Sequence, residues 1–388
     1  MVENSKVACY VAYMTRILVL GAGMVGSAMV RDLAKRHEVL ATDFSAAALK
    51  PLAEISAVTT QQLDCSDREA VQNAAKSVDA VVCAVPGYLG FETIRSLILV
   101  GKKVADISFF PEDALELDAL AKENGAVVVT DIGVAPGIDN LILGHHDASM
   151  EVRRFECLVG GLPISRTFPF QYKAPFSPMD VVEEYLRPAR IYEHGREVVK
   201  PALSEPSFVN FPGIGTLEAF NTDGLRSLIQ TMPHIPDMIE RTLRYPGHRE
   251  LMLAFRESGF FSDDLVEVNG AKISPRAFTS KILFDSWKLL PGEPEMTVMR
   301  ITVEGIEKGE KTRHVYHLED RGDAATKTSS MARTTGYTCT GMLECLVDGT
   351  WNTTGVTPPE LVGRADGLWP KIRSHLSDRA VTLTMTTE

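Results

Sequence analysis

The sequence predicts an α/β fold in which a doubly wound parallel sheet of the Rossmann type is followed by a second, α+β domain. A glycine motif, Gly21-x-Gly23-x-x-Gly26, stands between an apolar strand and an apolar helix. Strand-like and helical stretches then alternate to about residue 130, as in parallel sheets with helical crossovers. From about residue 150, longer strands are mixed with helices, and the glycine motif does not recur.

We divide the chain of 388 residues on this basis. Residues 1–14 form an N-terminal extension, 15–149 the Rossmann domain and 150–328 the second domain. Within the second domain, 297–320 has the alternating pattern of a β-hairpin. Residues 329–388 form a C-terminal segment, whose apolar helix we expect to return to the Rossmann domain.

Composition argues against several classes of protein. The net charge of −11 does not suit a surface for nucleic acids or anionic membranes, and no apolar run approaches the roughly 20 residues that span a bilayer. The six cysteines form no C-x-x-C pair, so we expect neither disulfides nor a zinc site, and a cytoplasmic location. His145 and His146 would point about 100° apart on a helix. We therefore expect no metal.

The glycine motif has the surroundings of a dinucleotide-binding loop. The strand at 17–20 leads into Gly21, which makes a tight turn. Gly23 lets the backbone approach a pyrophosphate, and Gly26 lets the helix pack closely on the strand. The pyrophosphate then meets free N–H groups at the helix N-terminus. We therefore predict a nicotinamide dinucleotide site that includes Gly21, Gly23, Met24, Val25 and Gly26.

Asp43 ends the second predicted strand, about 17 residues after Gly26. A carboxylate at this place accepts hydrogen bonds from the adenosine ribose hydroxyls and repels a 2′-phosphate. No Lys or Arg follows it before Lys50. The expected cofactor is therefore NAD, with NADP less favoured.

The alternation of strands and helices continues beyond the second strand. Further strands are expected at 56–63, 78–85, 102–107 and 125–130, with helices near 67–76, 88–100 and 112–123. In a parallel sheet of this kind, ligands bind beyond the carboxyl ends of the strands. Residues at the ends of the third, fourth and fifth strands are therefore assigned to the cofactor site: Asp64 and Cys65 beside adenine, and Ala84, Val85, Pro86, Ile107 and Ser108 beside ribose and nicotinamide.

Two carboxylates follow the fifth and sixth strands, next to the expected nicotinamide. Asp106 stands in the segment ADISFF and Asp131 in the segment TDIGVAPG. Each could contact the reacting groups, or could instead cap a loop or helix.

Motifs along the chain resemble those of the saccharopine dehydrogenase-like family. In order, they are the glycine motif, GVAPGIDN, VGGLP, YKAPFSP, TLEAFNTDGL, TLRYPGH and SSMARTTGYT…GVTPPE. They cover nearly the whole chain from Thr15, and TLRYPGH with EAFNTDGL looks most like the lysine 6-dehydrogenase branch. The resemblance implies a second domain that binds a small amino-acid substrate, closes over it and dimerises, so we expect a homodimer or a larger homo-oligomer.

Two departures from the family's pattern bear on the substrate. Val159-Gly160-Gly161 stands where glutamate-forming saccharopine reductases carry Cys-Gly-Gly, and residues 221–224 read Asn-Thr-Asp-Gly where those enzymes carry Asn-Arg-Asp-Ser. The missing Arg would hold a carboxylate of a larger substrate. The resemblance therefore favours a smaller amino acid, such as lysine.

The family's reaction is oxidation of a carbon–nitrogen bond by a nicotinamide nucleotide. For L-lysine, the ε-ammonium, with an ordinary pKa of about 10.4, must first lose a proton. The products are 2-aminoadipate 6-semialdehyde, which cyclises to piperideine-6-carboxylate, and ammonia. The expected partner of the amine is Asp106 or Asp139, with Asp131 behind them, and Asp139 matches the family's Pro-Gly-Ile-Asp motif.

The remaining assignments also follow the family's segments. Lys173 and Arg244 are expected to hold the substrate carboxylate, and Lys173 is also a catalytic candidate. The alternatives are a solvated surface lysine for Lys173 and an interdomain salt bridge for Arg244. Residues assigned to the substrate site on the same basis are Gly160, Gly161, Tyr172, Phe176, Thr242 and Tyr245.

Two other functions stay open. A saccharopine dehydrogenase or a carboxynorspermidine-type dehydrogenase would need a further cation, such as Arg166 or Arg190, for a second carboxylate. A chain that had lost catalysis would be a regulatory protein that binds NAD without turnover.

Overall fold

The structure, a computed structural model, describes residues 14–175 and 178–388. Residues 1–13 of the expected extension, and Phe176 of the expected substrate site, lie outside the described residues. Within the described ranges, no helix is long and apolar enough to cross a membrane.

The chain alternates between strands and helices over most of its described length. The strands are β1 (Arg16–Leu20), β2 (Glu38–Asp43), β3 (Val58–Gln62), β4 (Ala80–Cys83), β5 (Lys103–Asp106), β6 (Val127–Val129), β7 (Glu151–Pro163), β8 (Ala189–Glu193), β9 (Arg196–Lys200), β10 (Ser207–Phe211), β11 (Gly215–Asn221), β12 (Asp237–Arg244), β13 (Val266–Val268), β14 (Ala271–Ile273), β15 (Glu295–Glu307), β16 (Glu310–Arg321), β17 (Gly355–Thr357) and β18 (Leu383–Thr387). The helices are α1 (Met24–Leu33), α2 (Ala46–Leu49), α3 (Arg68–Lys76), α4 (Gly87–Ile98), α5 (Asp118–Glu123), α6 (Ile138–Asp147), α7 (Pro178–Leu186), α8 (Leu228–Thr231), α9 (His248–Glu257), α10 (Pro275–Trp287), α11 (Ser330–Val347), α12 (Pro359–Gly363) and α13 (Leu368–Ser377).

The first sheet has seven parallel strands in the order β17-β6-β5-β4-β1-β2-β3. Its central strands β1 and β4 are apolar and buried because helices cover both faces of the sheet. Ile17 and Val19 face the layer that contains α1 and α11, whereas Leu18 and Leu20 face α3 and α4. The strand order reverses between β1 and β4, which is where ligands bind in sheets of this type. The predicted doubly wound Rossmann fold is confirmed.

The second sheet is mixed and has nine strands. Seven follow the order β10-β11-β12-β7-β15-β16-β18, and β8 and β9 extend from β12. Strand β12 runs parallel to β7, and the remaining neighbours are antiparallel. The predicted hairpin is β15 and β16, joined at a turn where Lys308 and Gly309 both have positive φ. The second, α+β domain is therefore also confirmed.

The C-terminal segment contributes to both sheets. Helix α11 packs against α1, β4 and β5, so the expected return of this helix to the Rossmann domain is confirmed. Strand β17 adds a seventh strand, which the sequence did not predict, by pairing with β6 from Val127↔Gly355 onward. Strand β18 pairs instead with β16 of the second sheet. The segment thus ties the two domains together.

A strained turn carries the chain from β6 to α6. Asp131 has a left-handed φ of 53°, and Gly137 has a φ of 143°. A Cβ on Gly137 would overlap the backbone of Gly133, so the turn needs glycine there. The turn places residues 131–137 beyond the carboxyl end of β6, where they face the second domain.

Candidate active site

A cleft of about 440 Å³ lies between the carboxyl ends of the first sheet and the second sheet. The first domain lines it with Gly21, Gly23, Met24, Val25, Gly26, Asp43, Ala84, Val85, Pro86, Ile107, Phe109, Asp131, Gly133, Val134, Ala135 and Pro136. The second domain and α11 line it with Val159, Gly160, Gly161, Glu184, Arg187, Thr222, Asp223, Gly224, Glu240, Thr242, Arg244, Met331 and Thr335. The cleft therefore combines the predicted nucleotide loop with charged side chains of the second domain.

The nucleotide loop has the geometry that a pyrophosphate requires. Gly21 has a φ of 93°, and a Cβ on Gly26 would overlap the carbonyl of Gly21. Among the described residues, no side chain caps the N-terminus of α1, so its first N–H groups are left for a ligand. Asp43 accepts hydrogen bonds from the N–H of Ala22 at 2.7 Å and of Ser45 at 2.8 Å. The residues present therefore fit a dinucleotide.

Three residues assigned to the cofactor lie outside the cleft. Asp64 is exposed and accepts hydrogen bonds from the N–H and hydroxyl of Ser66, so its carboxylate holds a turn. Burial raises the pKa of the Cys65 thiol to about 12, which leaves a neutral, half-buried side chain. Ser108 is buried and donates to Asp106. None of these three residues lines the cleft.

The two acids at the strand ends differ in their environment. Asp106 is fully buried below the cleft, where burial raises its pKa to about 7. It does not line the cleft, so its position does not fit the catalytic assignment. Asp131 lines the cleft, but Arg226 holds both of its oxygens at 3.2 Å. The charge of Asp131 is therefore balanced by a contact between the domains.

Asp139 belongs to a buried cluster with Glu240 and Cys157. One carboxylate oxygen of Asp139, one of Glu240 and the Sγ of Cys157 all lie within 4.8 Å of one another. Asp139 is fully buried, and Glu240 is 5% exposed on the wall of the cleft. Burial, together with the repulsion between two adjacent carboxylates, raises the pKa of Glu240 well above its ordinary value, and burial raises the pKa of Asp139 to about 6. Two carboxyl groups this close share a proton near neutral pH.

Glu240 was missed by the sequence reasoning, although a signal was present. It precedes Thr242 and Arg244 by two and four residues in β12, and alternate residues of a strand share a face. All three residues line the cleft. The strand pattern could therefore have added Glu240 to the site.

Arg244 lines the cleft and is held on several sides. Its guanidinium donates to the Tyr185 hydroxyl at 3.1 Å, pairs with Glu184 at 3.3 Å and lies 4.7 Å from the ring centroid of Tyr172. The salt bridge considered for Arg244 thus exists, but its partner belongs to the second domain. Tyr172 is buried beneath Arg244 and does not line the cleft.

Other assignments to the substrate site separate into two groups. Gly160, Gly161 and Thr242 line the cleft, and a Cβ on Gly160 would overlap the Leu243 carbonyl. Lys173 and Tyr245 do not line it. This is a correction, because each is engaged elsewhere.

Lys173 and Tyr245 both bind main-chain carbonyls away from the cleft. The Lys173 amine donates to the carbonyls of Ser286 and Lys288, at 3.2 and 3.3 Å. The Tyr245 hydroxyl donates to the Pro163 carbonyl at 2.9 Å. Neither is placed to hold a substrate carboxylate in this cleft.

His146 fits a structural role. Its ring stacks on His314 with centroids 4.2 Å apart, and its Nε2 lies 2.8 Å from the Tyr316 hydroxyl. Burial lowers its pKa to about 3, so the ring is neutral. His145 and His146 line a groove of their own, which shares no residue with the cleft.

A Rossmann nucleotide loop opposite a second domain rich in carboxylates defines a dinucleotide-binding protein with two domains. A model described as "Saccharopine dehydrogenase NADP binding domain" matches residues 17–129, and one described as "Saccharopine dehydrogenase C-terminal domain" matches residues 133–378. The chain belongs to the saccharopine dehydrogenase family.

Curated relatives agree with this assignment. The L-glutamate-forming, NADP(+) saccharopine dehydrogenase of Schizosaccharomyces pombe is 28% identical over 68% of this chain and 61% of its own length. The enzyme of the same name from Pyricularia oryzae is 25% identical over 78% of this chain and 83% of its own length. The match thus spans about three-fifths of the first of these relatives.

Solved structures share the fold. The apo saccharopine dehydrogenase (L-Glu forming) of Saccharomyces cerevisiae has a TM-score of 0.79 at 21% identity, covering 96% of this chain and all of that one (100%). The homospermidine synthase of Legionella pneumophila in complex with NAD has a TM-score of 0.66 at 11% identity, covering 96% of this chain and 91% of that one.

These findings confirm the family and its two domains, the first of which binds a nucleotide. They do not show whether the chain belongs to the lysine 6-dehydrogenase branch or to another branch of the family. The names of the nucleotide-domain model and of both relatives lean to NADP, against the expected NAD. The homodimer and the cytoplasmic location stay predictions.

Proposed function

We propose that the protein is an NAD-dependent L-lysine 6-dehydrogenase, which oxidises the carbon bearing the ε-amine and releases ammonia after hydrolysis. The observation that carries the proposal is the balance of charge in the cleft. Five carboxyl side chains line it, of which Asp131, Asp223 and Glu184 pair with Arg226, Arg190 and Arg244. Two acidic side chains, Asp43 and Glu240, thus remain against one guanidinium, Arg187, that pairs with no described side chain. Such a cleft favours lysine, whose amines outnumber its carboxylate.

Arg187 is the proposed anchor of the substrate carboxylate. Arg244 pairs with Glu184, whereas Arg187 forms no ion pair with any side chain that the structure describes and lies 5.3 Å from the ring centroid of Phe109. A guanidinium binds a carboxylate through two parallel hydrogen bonds. One available guanidinium suits a substrate with one carboxylate.

Saccharopine oxidation is the second candidate, because the curated relatives carry that name. Saccharopine has more carboxylates than amines and would need further cations. Arg190 is bound by Asp223 at 2.9 Å, and Arg166 lies over the Tyr245 ring at 3.9 Å. Neither lines the cleft, so the charge balance favours lysine.

Asp43 supports NAD as the preferred nucleotide. Its carboxylate lines the cleft beside the glycine loop and is held by two backbone N–H groups. A carboxylate has lone pairs left for ribose hydroxyls and repels a 2′-phosphate. When bound, the nucleotide supplies the hydride acceptor, while the residues of the cleft orient the amine and remove its proton.

A panel of substrates tests the proposal. Purified protein is mixed with L-lysine or saccharopine, each with NAD or NADP, and the near-ultraviolet absorbance of the reduced nucleotide is followed. The expected result is reduction of NAD with lysine. Turnover of saccharopine without turnover of lysine would establish the second candidate instead.

The role of Arg187 has its own test. R187M should lower kcat/KM for lysine by about 10- to 100-fold, because a charged hydrogen-bonding pair is lost. It should leave kcat/KM unchanged for 1,5-diaminopentane, which is lysine without the carboxylate. The matched control is R166M, whose guanidinium lies outside the cleft. An equal loss with both amines would contradict an anchor for the carboxylate.

A further inference from the structure

We infer that Glu240 and Asp139 form a proton relay, in which Glu240 takes the proton of the substrate ammonium and Asp139, behind it, stores a proton. The inference rests on the proposed function, since it assigns the groups that prepare the amine for oxidation. It adds Glu240 to the site and gives Asp139 an indirect role.

The geometry supports a relay with an outer and an inner carboxyl group. Glu240 is on β12 and lines the cleft, whereas Asp139 is in the first turn of α6 and has no exposed surface. One oxygen of Asp139 accepts from the N–H of Gly137 at 3.0 Å. Among the described residues, the other oxygen of Asp139 and one oxygen of Glu240 are buried without a hydrogen-bond partner. A proton between the two carboxyl groups satisfies both oxygens.

The surrounding charges keep a proton on the pair. The groups acting on Glu240 are Asp139 from α6, Glu184 from α7 and Asp223 from the loop after β11. Cys157 of β7 completes the cluster as a neutral thiol, because burial raises its pKa well above the ordinary value. Because its neighbours are negative, Glu240 is the protonated member of the pair, and it donates a hydrogen bond to the Asp139 carboxylate.

The proton steps balance. The N–H bond of the ammonium breaks and its proton passes to Glu240, while the proton already on Glu240 passes to Asp139. The nitrogen retains the electron pair, which forms the C=N bond as hydride leaves the adjacent carbon for the nucleotide. The carbon is oxidised by two electrons, the nucleotide is reduced by two, and the stored proton returns to water after the product leaves.

Gly224 makes room for this arrangement. A Cβ at this position would overlap the carboxylate of Glu240. Gly224 does not have positive φ, so the backbone itself accepts alanine. G224A should therefore displace the Glu240 carboxylate without straining the turn, which provides a variant that keeps the acidic group but moves it.

Infrared difference titration tests the shared proton without any substrate. The carboxylic-acid C=O band at neutral pH should be weaker in E240Q than in the wild type. In D139N, Glu240 should ionise roughly 1–3 pH units lower, since its charged neighbour is gone. In C157A, which removes a neutral thiol, the pH at which Glu240 ionises should stay unchanged. Identical bands in E240Q and wild type would overturn the relay, as would a stoichiometric divalent metal bound by the wild type and lost in E240Q.

Kinetics test the use of the relay. E240Q should lower kcat/KM for the amine roughly 100- to 10,000-fold, and G224A should lower kcat while KM for the nucleotide stays unchanged. Wild-type activity should fall as the pH drops through about 6, where Asp139 becomes protonated. An E240Q enzyme within about threefold of wild type would overturn the inference. If lysine is not turned over at all, the proposed function fails, while the titration still decides whether the proton is shared.

Discussion

Asp43 is a carboxylate whose position is set by the backbone on both sides. Its two oxygens accept from Ala22 and Ser45, so the side chain cannot swing away from the glycine loop. A fixed negative charge at this point discriminates between nucleotides by repulsion as much as by attraction.

Substitution of Asp43 by asparagine keeps its shape and removes its charge. D43N should raise kcat/KM with NADP and lower it with NAD, each by about tenfold, because repulsion of the 2′-phosphate and the hydrogen bonds to the ribose are both weakened. The comparison variant is D64N, whose exposed carboxylate holds a turn at Ser66. Kinetics with both nucleotides decide the matter, and a wild type that prefers NADP would refute the role given to Asp43.

Sequence reasoning at the scale of residues succeeded where the site is local. Gly21, Gly23 and Gly26 lie within six residues of one another, so their spacing alone encodes the loop. The substrate side could not be located in this way, because its wall is assembled from β7, α7, β12, α11 and the loops that follow α7 and β11. Lys173 was chosen from a motif and does not line the cleft, whereas Arg187, fourteen residues later, lines it together with Arg244.

Helix α1 is attached to the C-terminal segment by a buried charge. The side chain of Asp32 is 1% exposed and lies 2.8 Å from the Arg379 guanidinium, 3.7 Å from His375 and 2.8 Å from the Thr340 hydroxyl. Bonds to His375 and Arg379 outweigh the effect of burial and hold the pKa of Asp32 well below its ordinary value. Through these contacts, Asp32 joins α1 to α11 and to the end of α13.

Replacement of Asp32 should destabilise the protein in a way that depends on pH. D32N should lower the free energy of unfolding near neutral pH by about 3 kcal/mol, because Arg379 is left buried without its anion. A lowered pKa in the folded state means that this stabilisation is present above the unfolded pKa of about 3.9 and is lost as the pH falls below it. Urea unfolding of both proteins should therefore differ least in acid.

Lys35 provides the control for that experiment. Its amine also pairs with Asp32, at 3.4 Å, but its side chain is 66% exposed. K35A should change the free energy of unfolding by less than about 0.5 kcal/mol, as exposed ion pairs contribute little. A loss in K35A as large as that in D32N would contradict the importance of burial.

The elements that were predicted are those with a clear period. Strands such as β1 and the hairpin β15–β16 have apolar or alternating runs, and these fix their type before any contact is known. The three residues of β17 are too few to show a period, and their strand forms because β6 offers an unpaired edge. The sequence therefore predicts the central strands of the sheet better than its edge strand.

At the scale of the whole molecule, Arg226 links the two domains. Its guanidinium binds both oxygens of Asp131 at 3.2 Å and the carbonyl of Phe110 at 2.7 Å, and its side chain is 5% exposed. Asp131 and Phe110 belong to loops of the first sheet, whereas Arg226 follows β11 of the second. This contact is buried and charged, so each partner depends on the other.

A double-mutant cycle should reveal that dependence. R226M should lower the free energy of unfolding by about 3–5 kcal/mol, because it leaves the Asp131 carboxylate buried and unpaired. The double variant R226M/D131N should recover part of the loss, since no unpaired charge remains. Urea unfolding of the four proteins gives the coupling energy, and strictly additive losses would show that the two side chains act independently.

The strand β17 affects the order in which a nascent chain can complete its domains. The sheet that holds the nucleotide loop closes with residues 355–357, which leave the ribosome after every strand of the second sheet except β18. Until then β6 presents an unpaired edge, and the surface of α1 that α11 covers is exposed, a combination that invites association with other chains. A fragment cut after residue 149 would keep these exposed surfaces permanently, so the nucleotide-binding half should not be separable as a stable piece by simple truncation.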